Sequence, residues 1–255
     1  MDKKILILIL TTILVVITSV VYIKFVIYDY MVNIKYFVKW IPVLLLIIQT
    51  LFFLCYFNIF KRDTNQLNYC FYLIFAYVLC MIGDISLMFD EMVIYMIGML
   101  MFMIAYFLFG LGRIYNIKKY IYRTSKVKII LGAIFILIAQ ICYVPYVIYL
   151  ASSNQKFDSI EIKIAICIYS CFINFSVLCN YIYLITFGTY RAWFSFVGVL
   201  IFGISDCVLI LHDIKYEYKW IETLAISLYW IGLTIVSWAT YKNNQYGYII
   251  LDFDV

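Results

Sequence analysis

Two acidic residues stand where acidic residues are rare. Asp84 lies in Ile82-Gly83-Asp84-Ile85-Ser86-Leu87-Met88, inside the apolar run from Tyr69 to Phe89. Asp206 lies in Ile204-Ser205-Asp206-Cys207-Val208-Leu209-Ile210, inside the run from Ala192 to Leu211. An ionised carboxylate at mid-membrane costs roughly 2.5–3.5 kcal/mol on insertion scales, so each asks for a partner or a task. Two carboxyl groups gathered in a low-dielectric site can divide labour, one holding a proton at neutral pH while the other is ionised. That pair could act as acid and anion in catalysis, or carry a proton or cation in transport. It could equally clamp helices together through bonds to Tyr, Ser or Asn.

The surroundings decide what positions them. Of 255 residues, 67% are hydrophobic and 13% charged, and the mean hydropathy is +1.02. No polar block is long enough for a second domain, so residues 1–255 read as one transmembrane domain. Spanning hydrocarbon takes about 20 apolar residues in a helix. Candidate spans are Ile5–Ile23, Trp40–Phe60, Tyr69–Phe89, Met92–Gly112, Ile129–Leu150, Ile164–Phe187, Ala192–Leu211 and Trp220–Thr240. The expected fold is an all-α polytopic bundle of about eight transmembrane helices. Runs of this length are too long and too uniformly apolar for barrel strands. Lys3-Lys4 followed by Ile5–Ile23 resembles a signal peptide superficially, but no alanine precedes Ala76 to make a small-residue cleavage site. An uncleaved first span is expected.

With the N-terminus cytoplasmic, the inner segments carry Lys3, Lys4, Lys61, Arg62, the cluster Arg113, Lys118, Lys119, Arg123, Lys126 and Lys128, and Arg191 and Lys242. The outer ones carry only Lys24, Lys35, Lys39, Lys156, Lys163, Lys215 and Lys219. The positive-inside rule then favours both termini in the cytoplasm. The cluster from Arg113 to Lys128 reads as a loop beside anionic lipid, with no nucleic-acid partner. Asp84 and Asp206 would each lie five residues before an outer helix end, roughly 7–8 Å below the boundary. Their 122-residue offset is near half the chain. It suggests a parallel four-plus-four repeat with halves near 1–122 and 123–245, and a site between them.

Eight cysteines (55, 70, 80, 142, 167, 171, 179 and 207) fall within candidate spans without a CxxC pair. Cys167 and Cys171 share a helix face, but a single histidine, His212, cannot complete a metal site. No metal and no cofactor is expected. His212 falls six residues after Asp206, on a different helix face, and reads as interfacial. Glu222, near the mouth of the last span, reads as solvated.

In their order the motifs resemble the YhhN-like lysoplasmalogenase family, eight-helix membrane proteins with a G-D motif in the third span and an S-D motif in the seventh. The likeness covers about Lys39 to Trp238. Lys39-Trp40-Ile41-Pro42 is similar to the family's start of the second span, and Gly98-x3-Phe102-x2-Ala105 to its fourth. Tyr169 falls where the sixth span carries a tyrosine, and Tyr229-Trp230 resembles the start of the last motif. Three positions depart: Tyr106 stands where members usually have histidine, Gly232-Leu233 replaces Ala-Gln, and His212-Asp213 replaces Asn-Arg.

The resemblance implies cleavage of the vinyl ether bond of a lysoplasmalogen to a fatty aldehyde and glycerophospho-ethanolamine or -choline. The partners would then be a lysophospholipid substrate and membrane lipids. Such a reaction needs a proton donor and an anion facing an oxocarbenium-like cation, as in two-carboxylate glycoside hydrolysis. Asp84 and Asp206 take those roles, with Asp84 leaning to acid because Gly83 gives it no polar neighbour. Lys39, Tyr169, Tyr229 and Tyr106 are the expected substrate-binding residues. Lys39 would hold the lipid phosphate, or else snorkel to headgroups. Tyr169 and Tyr229 would bond an aspartate, or simply pack. A proton- or cation-coupled transporter and a non-catalytic lipid-binding relative stand as alternatives.

Overall fold

A computed structural model describes residues 3–28, 38–56, 64–89, 91–118, 120–216 and 218–241. The basic residues Lys35, Lys61, Arg62, Lys119 and Lys242, and the expected end of the second span at 57–60, lie outside them. The described residues form eight long helices: α1 Lys3–Tyr28, α2 Ile41–Tyr56, α3 Thr64–Ser86, α4 Met92–Lys118, α5 Lys126–Ser152, α6 Ile160–Phe187, α7 Tyr190–Ile214 and α8 Lys219–Trp238. Seven are long and apolar enough to cross a membrane. The 16-residue α2 is shorter, about 24 Å against a core of about 30 Å. The protein is a multi-pass helical membrane bundle.

Local chemistry sets several ends. Ser159 caps α6 by accepting from the backbone N–H of Ile162 at 3.3 Å, and Thr189 caps α7 by accepting from Ala192 at 3.3 Å. Between them Gly188 takes the left-handed conformation, φ 59°, and its N–H reaches the Leu184 carbonyl at 2.8 Å. That single glycine turns the chain from α6 into α7.

Seven helices close a ring in which neighbours pack in the order α1, α2, α3, α4, α6, α7, α8 and back to α1. The fifth helix lies outside this ring against α6 and α7. Large apolar side chains such as Ile17, Phe75, Phe135 and Trp193 are left exposed. A bundle this apolar outside is built for a lipid environment. Because lipid offers no hydrophobic drive between helices, polar bridges and close contacts hold them. Thr11 donates to Gln49 Oε1 at 2.8 Å and Gln49 Nε2 to Ser237 Oγ at 3.3 Å, which ties α1 and α2 to α8. Tyr77 of α3 donates to the Leu233 carbonyl of α8 at 2.9 Å. At the contact of α7 with α8, a Cβ on Gly232 would stand 2.8 Å from the Phe202 backbone nitrogen, so only glycine permits that approach.

Two expectations are corrected here. The fourth helix does not stop at Gly112 but runs to Lys118, and Arg113 is wholly buried inside the bundle rather than in a basic loop. Nor are the aspartates equidistant from their helix ends. Asp84 sits two residues before the end of α3, whereas α7 continues eight residues past Asp206.

Candidate active site

Gly83 matters through its missing side chain. A Cβ there would lie 2.7 Å from the Phe102 ring of α4. Phe102 is itself boxed edge-on by Phe202 at 6.2 Å and by Tyr229 at 6.0 Å. The glycine thus seats the end of α3 against an aromatic wall and aims Asp84 beside it. Asp84 is 2% exposed. Its Oδ2 accepts from the Tyr229 hydroxyl at 2.8 Å, and its Oδ1 lies 3.9 Å from Lys39 Nζ.

Asp206 is 5% exposed and is served differently. Its Oδ2 accepts two hydroxyls, Tyr106 at 2.9 Å and Tyr169. Among the described residues its Oδ1 takes part in no hydrogen bond and no cation pairs with Asp206. Tyr106 stacks on Phe202 at 4.4 Å with 15° between planes, and Tyr169 meets Tyr106 edge-on at 6.0 Å. Ser205 does not serve its neighbour, since its hydroxyl donates to the Ala225 carbonyl at 2.8 Å and joins α7 to α8.

Both carboxyl groups open on one cavity of about 120 Å³. It is lined by the polar Lys39, His212, Asp213 and Glu222 and by the apolar Leu87, Phe102, Ile226 and Trp230. That volume admits a polar group with water, not a lipid tail. A narrower slot of about 20 Å³, lined by Tyr95, Met99, Leu209 and Ile210, also reaches Asp206. Deeper in the ring the axis is filled with rings. Phe109 meets Phe202 at 5.9 Å and Tyr77 at 6.0 Å, and all three are buried.

All six expected site residues therefore come together: Asp84, Tyr229 and Lys39 around one carboxyl, Asp206, Tyr106 and Tyr169 around the other. Three more were not expected there. His212 lies 2.9 Å from Asp213 Oδ1 through Nδ1, Asp213 Oδ2 accepts from Tyr95 at 3.1 Å, and Glu222 faces the same space, half-buried. His212 reaches the cavity although it shares no helix face with Asp206, because the end of α7 and the start of α8 both line the space. Its position next to Asp213 was the available signal. Among the described residues no three of His, Cys, Asp and Glu are gathered to hold a metal ion.

The model of the YhhN family matches residues 34–239, and the chain belongs to that family. No curated protein and no solved structure matches the chain.

Proposed function

We propose that this YhhN-family protein is a membrane hydrolase that cleaves the vinyl ether bond of a lysoplasmalogen, yielding a fatty aldehyde and a glycerophospho alcohol. The observation that carries the reading is the opening of two carboxyl groups, from α3 and α7, on one small cavity. The Lys39 ammonium supplies Asp84 with a countercharge, which suits Asp84 to the ionised role. Asp206 has hydroxyl donors on one oxygen and none on the other, which suits it to carry the proton. These roles reverse the sequence expectation, because Lys39 lies beside Asp84 and Ser205 turns away from Asp206.

The steps balance with water alone. Asp206 gives its proton to the β-carbon, forming a C–H bond and leaving an oxocarbenium-like cation that faces the Asp84 carboxylate. Water adds to the cation while Asp84 takes its proton, giving a hemiacetal. Asp206 then takes the hemiacetal hydroxyl proton as Asp84 returns its own to the ether oxygen. The C–O bond breaks, releasing aldehyde and alcohol with both carboxyls restored. Lys39 and His212 line the cavity, where they would bind a phosphate, while Asp213 and Glu222 offer charge to an ammonium headgroup. The alkenyl tail would remain outside, since the cavity has no room for it. In this reading the site end of the bundle faces away from the cytoplasm, and both termini lie within it.

The test is to incubate purified protein with a lysoplasmalogen and with its saturated alkyl-ether analogue while following aldehyde release. Cleavage of the vinyl ether alone is expected, and it should be lost in Asp84→Asn and Asp206→Asn at unchanged expression. Cleavage of neither lipid removes the hydrolase reading.

A further inference from the structure

Arg113 is another buried charge of the bundle, and the hydrolytic reading makes no use of it. It lies in the last turns of α4, toward the end away from the aspartates, with no exposed surface. Its guanidinium carbon sits 3.3 Å from the centroid of the Tyr69 ring and 4.3 Å from that of Tyr183. Nε donates to Ser195 Oγ at 2.8 Å, and Ser195 donates on to Asn180 Oδ1. Asn180 Nδ2 reaches the Ser176 carbonyl at 2.8 Å. This chain of partners is neutral throughout. Among the described residues Nη1 and Nη2 have no hydrogen-bond partner, and neither does the buried hydroxyl of Ser176. Among the described residues no carboxylate pairs with Arg113.

A guanidinium keeps its charge when buried. Two tyrosine faces offset part of its lost hydration, but they leave both terminal nitrogens without acceptors. Buried polar groups are satisfied in nearly all native structures, and buried charges are paired. An acceptor carrying negative charge would satisfy both nitrogens and neutralise the guanidinium. The guanidinium is wholly buried among residues of α3, α4, α6 and α7, so the acceptor is a small one. A phosphate or a lipid headgroup is too large.

We propose that Arg113 holds a small monovalent inorganic anion of the halide class, bound by Nη1 and Nη2. The ion neutralises the core at the end of the bundle away from the cavity and links α3, α4, α6 and α7 there. This site is independent of the reaction.

The test uses the purified full-length protein in detergent, melted in sodium chloride, sodium bromide or sodium gluconate at one ionic strength. Chloride and bromide should raise Tm saturably, by about 5 °C over gluconate at concentrations well above Kd. The difference should vanish in Arg113→Gln and persist in Lys118→Gln, an exposed charge at the end of the same helix. Crystals of the unaltered protein soaked in bromide should show an anomalous peak within hydrogen-bond reach of Nη1 and Nη2. Should Arg113→Gln fail to fold, that peak decides alone. A halide-independent Tm without a peak at Arg113, an equal shift in Arg113→Gln, or bromide only at other places overturns the proposal.

Discussion

The hydroxyls of Tyr106 and Tyr169 give the most direct hold on the proposed proton donor. Both donate to Oδ2 of Asp206. As Asp206 gives up its proton, negative charge grows on that carboxyl and both bonds change from neutral to charge-assisted. A bond to a charged group contributes about 1.5–3 kcal/mol, against about 1 kcal/mol for a neutral one. The gain, about 0.5–2 kcal/mol per hydroxyl, exists only in the transition state and so belongs to kcat. At 1.4 kcal/mol per tenfold, Tyr106→Phe or Tyr169→Phe should each lower kcat by about 2- to 30-fold with KM little changed. The rings stay, and so do the stack on Phe202 and the edge contact between the two tyrosines, so Tm should move by only a few degrees. Removing both hydroxyls leaves the new carboxylate without a donor, and the loss should exceed the product of the single effects. The assay is aldehyde release by each purified variant, resolved into kcat and KM, with Tm measured alongside. An unchanged kcat in the double variant, or a loss confined to KM, would refute Asp206 as the donor.

Two further outcomes follow from the same geometry. Lys39→Met leaves Asp84 without its countercharge and should lower kcat/KM by about 10- to 100-fold, with partial rescue by Lys39→Arg; activity equal to the parent's would leave Lys39 as a headgroup lysine only. Gly83→Ala places a methyl 2.7 Å from a Phe102 ring packed against Phe202 and Tyr229 and should destabilise the protein by about 1–3 kcal/mol, read as a fall in Tm.

What could be read in the sequence was whatever broke an apolar background. Asp84 and Asp206 stood out because a carboxylate in hydrocarbon needs a reason, and the spans around them followed from length alone. Tyr169 and Tyr229 were found through the family pattern, since nothing local separates them from the other tyrosines among 26 in the chain. Which tyrosine serves which aspartate depends on how helices face each other, and no spacing along one helix encodes that. The same limit hid His212 and Asp213. Counting turns from Asp206 treats α7 as isolated, whereas the cavity is closed by a second helix that brings Glu222 and Ile226 to it. Arg113 was misplaced for a different reason. Hydropathy falls after Gly112 and signals a loop, yet backbone hydrogen bonding carries α4 on through Lys118, and two tyrosine faces shelter the charge. One arginine between distant aromatics leaves no periodic trace.

The closed order of the ring bears on how the protein comes into being. Lys39 precedes α2 and Asp84 lies near the end of α3, Asp206 and its tyrosines belong to later helices, and the hydroxyl that steadies Asp84 arrives only with Tyr229 of α8. A chain entering the bilayer from its N-terminus therefore carries the Asp84 carboxyl through most of its synthesis before that bond can form. A ribosome-bound intermediate lacking α8 should be inert, and competence should appear in a single step when the eighth helix docks between α7 and α1.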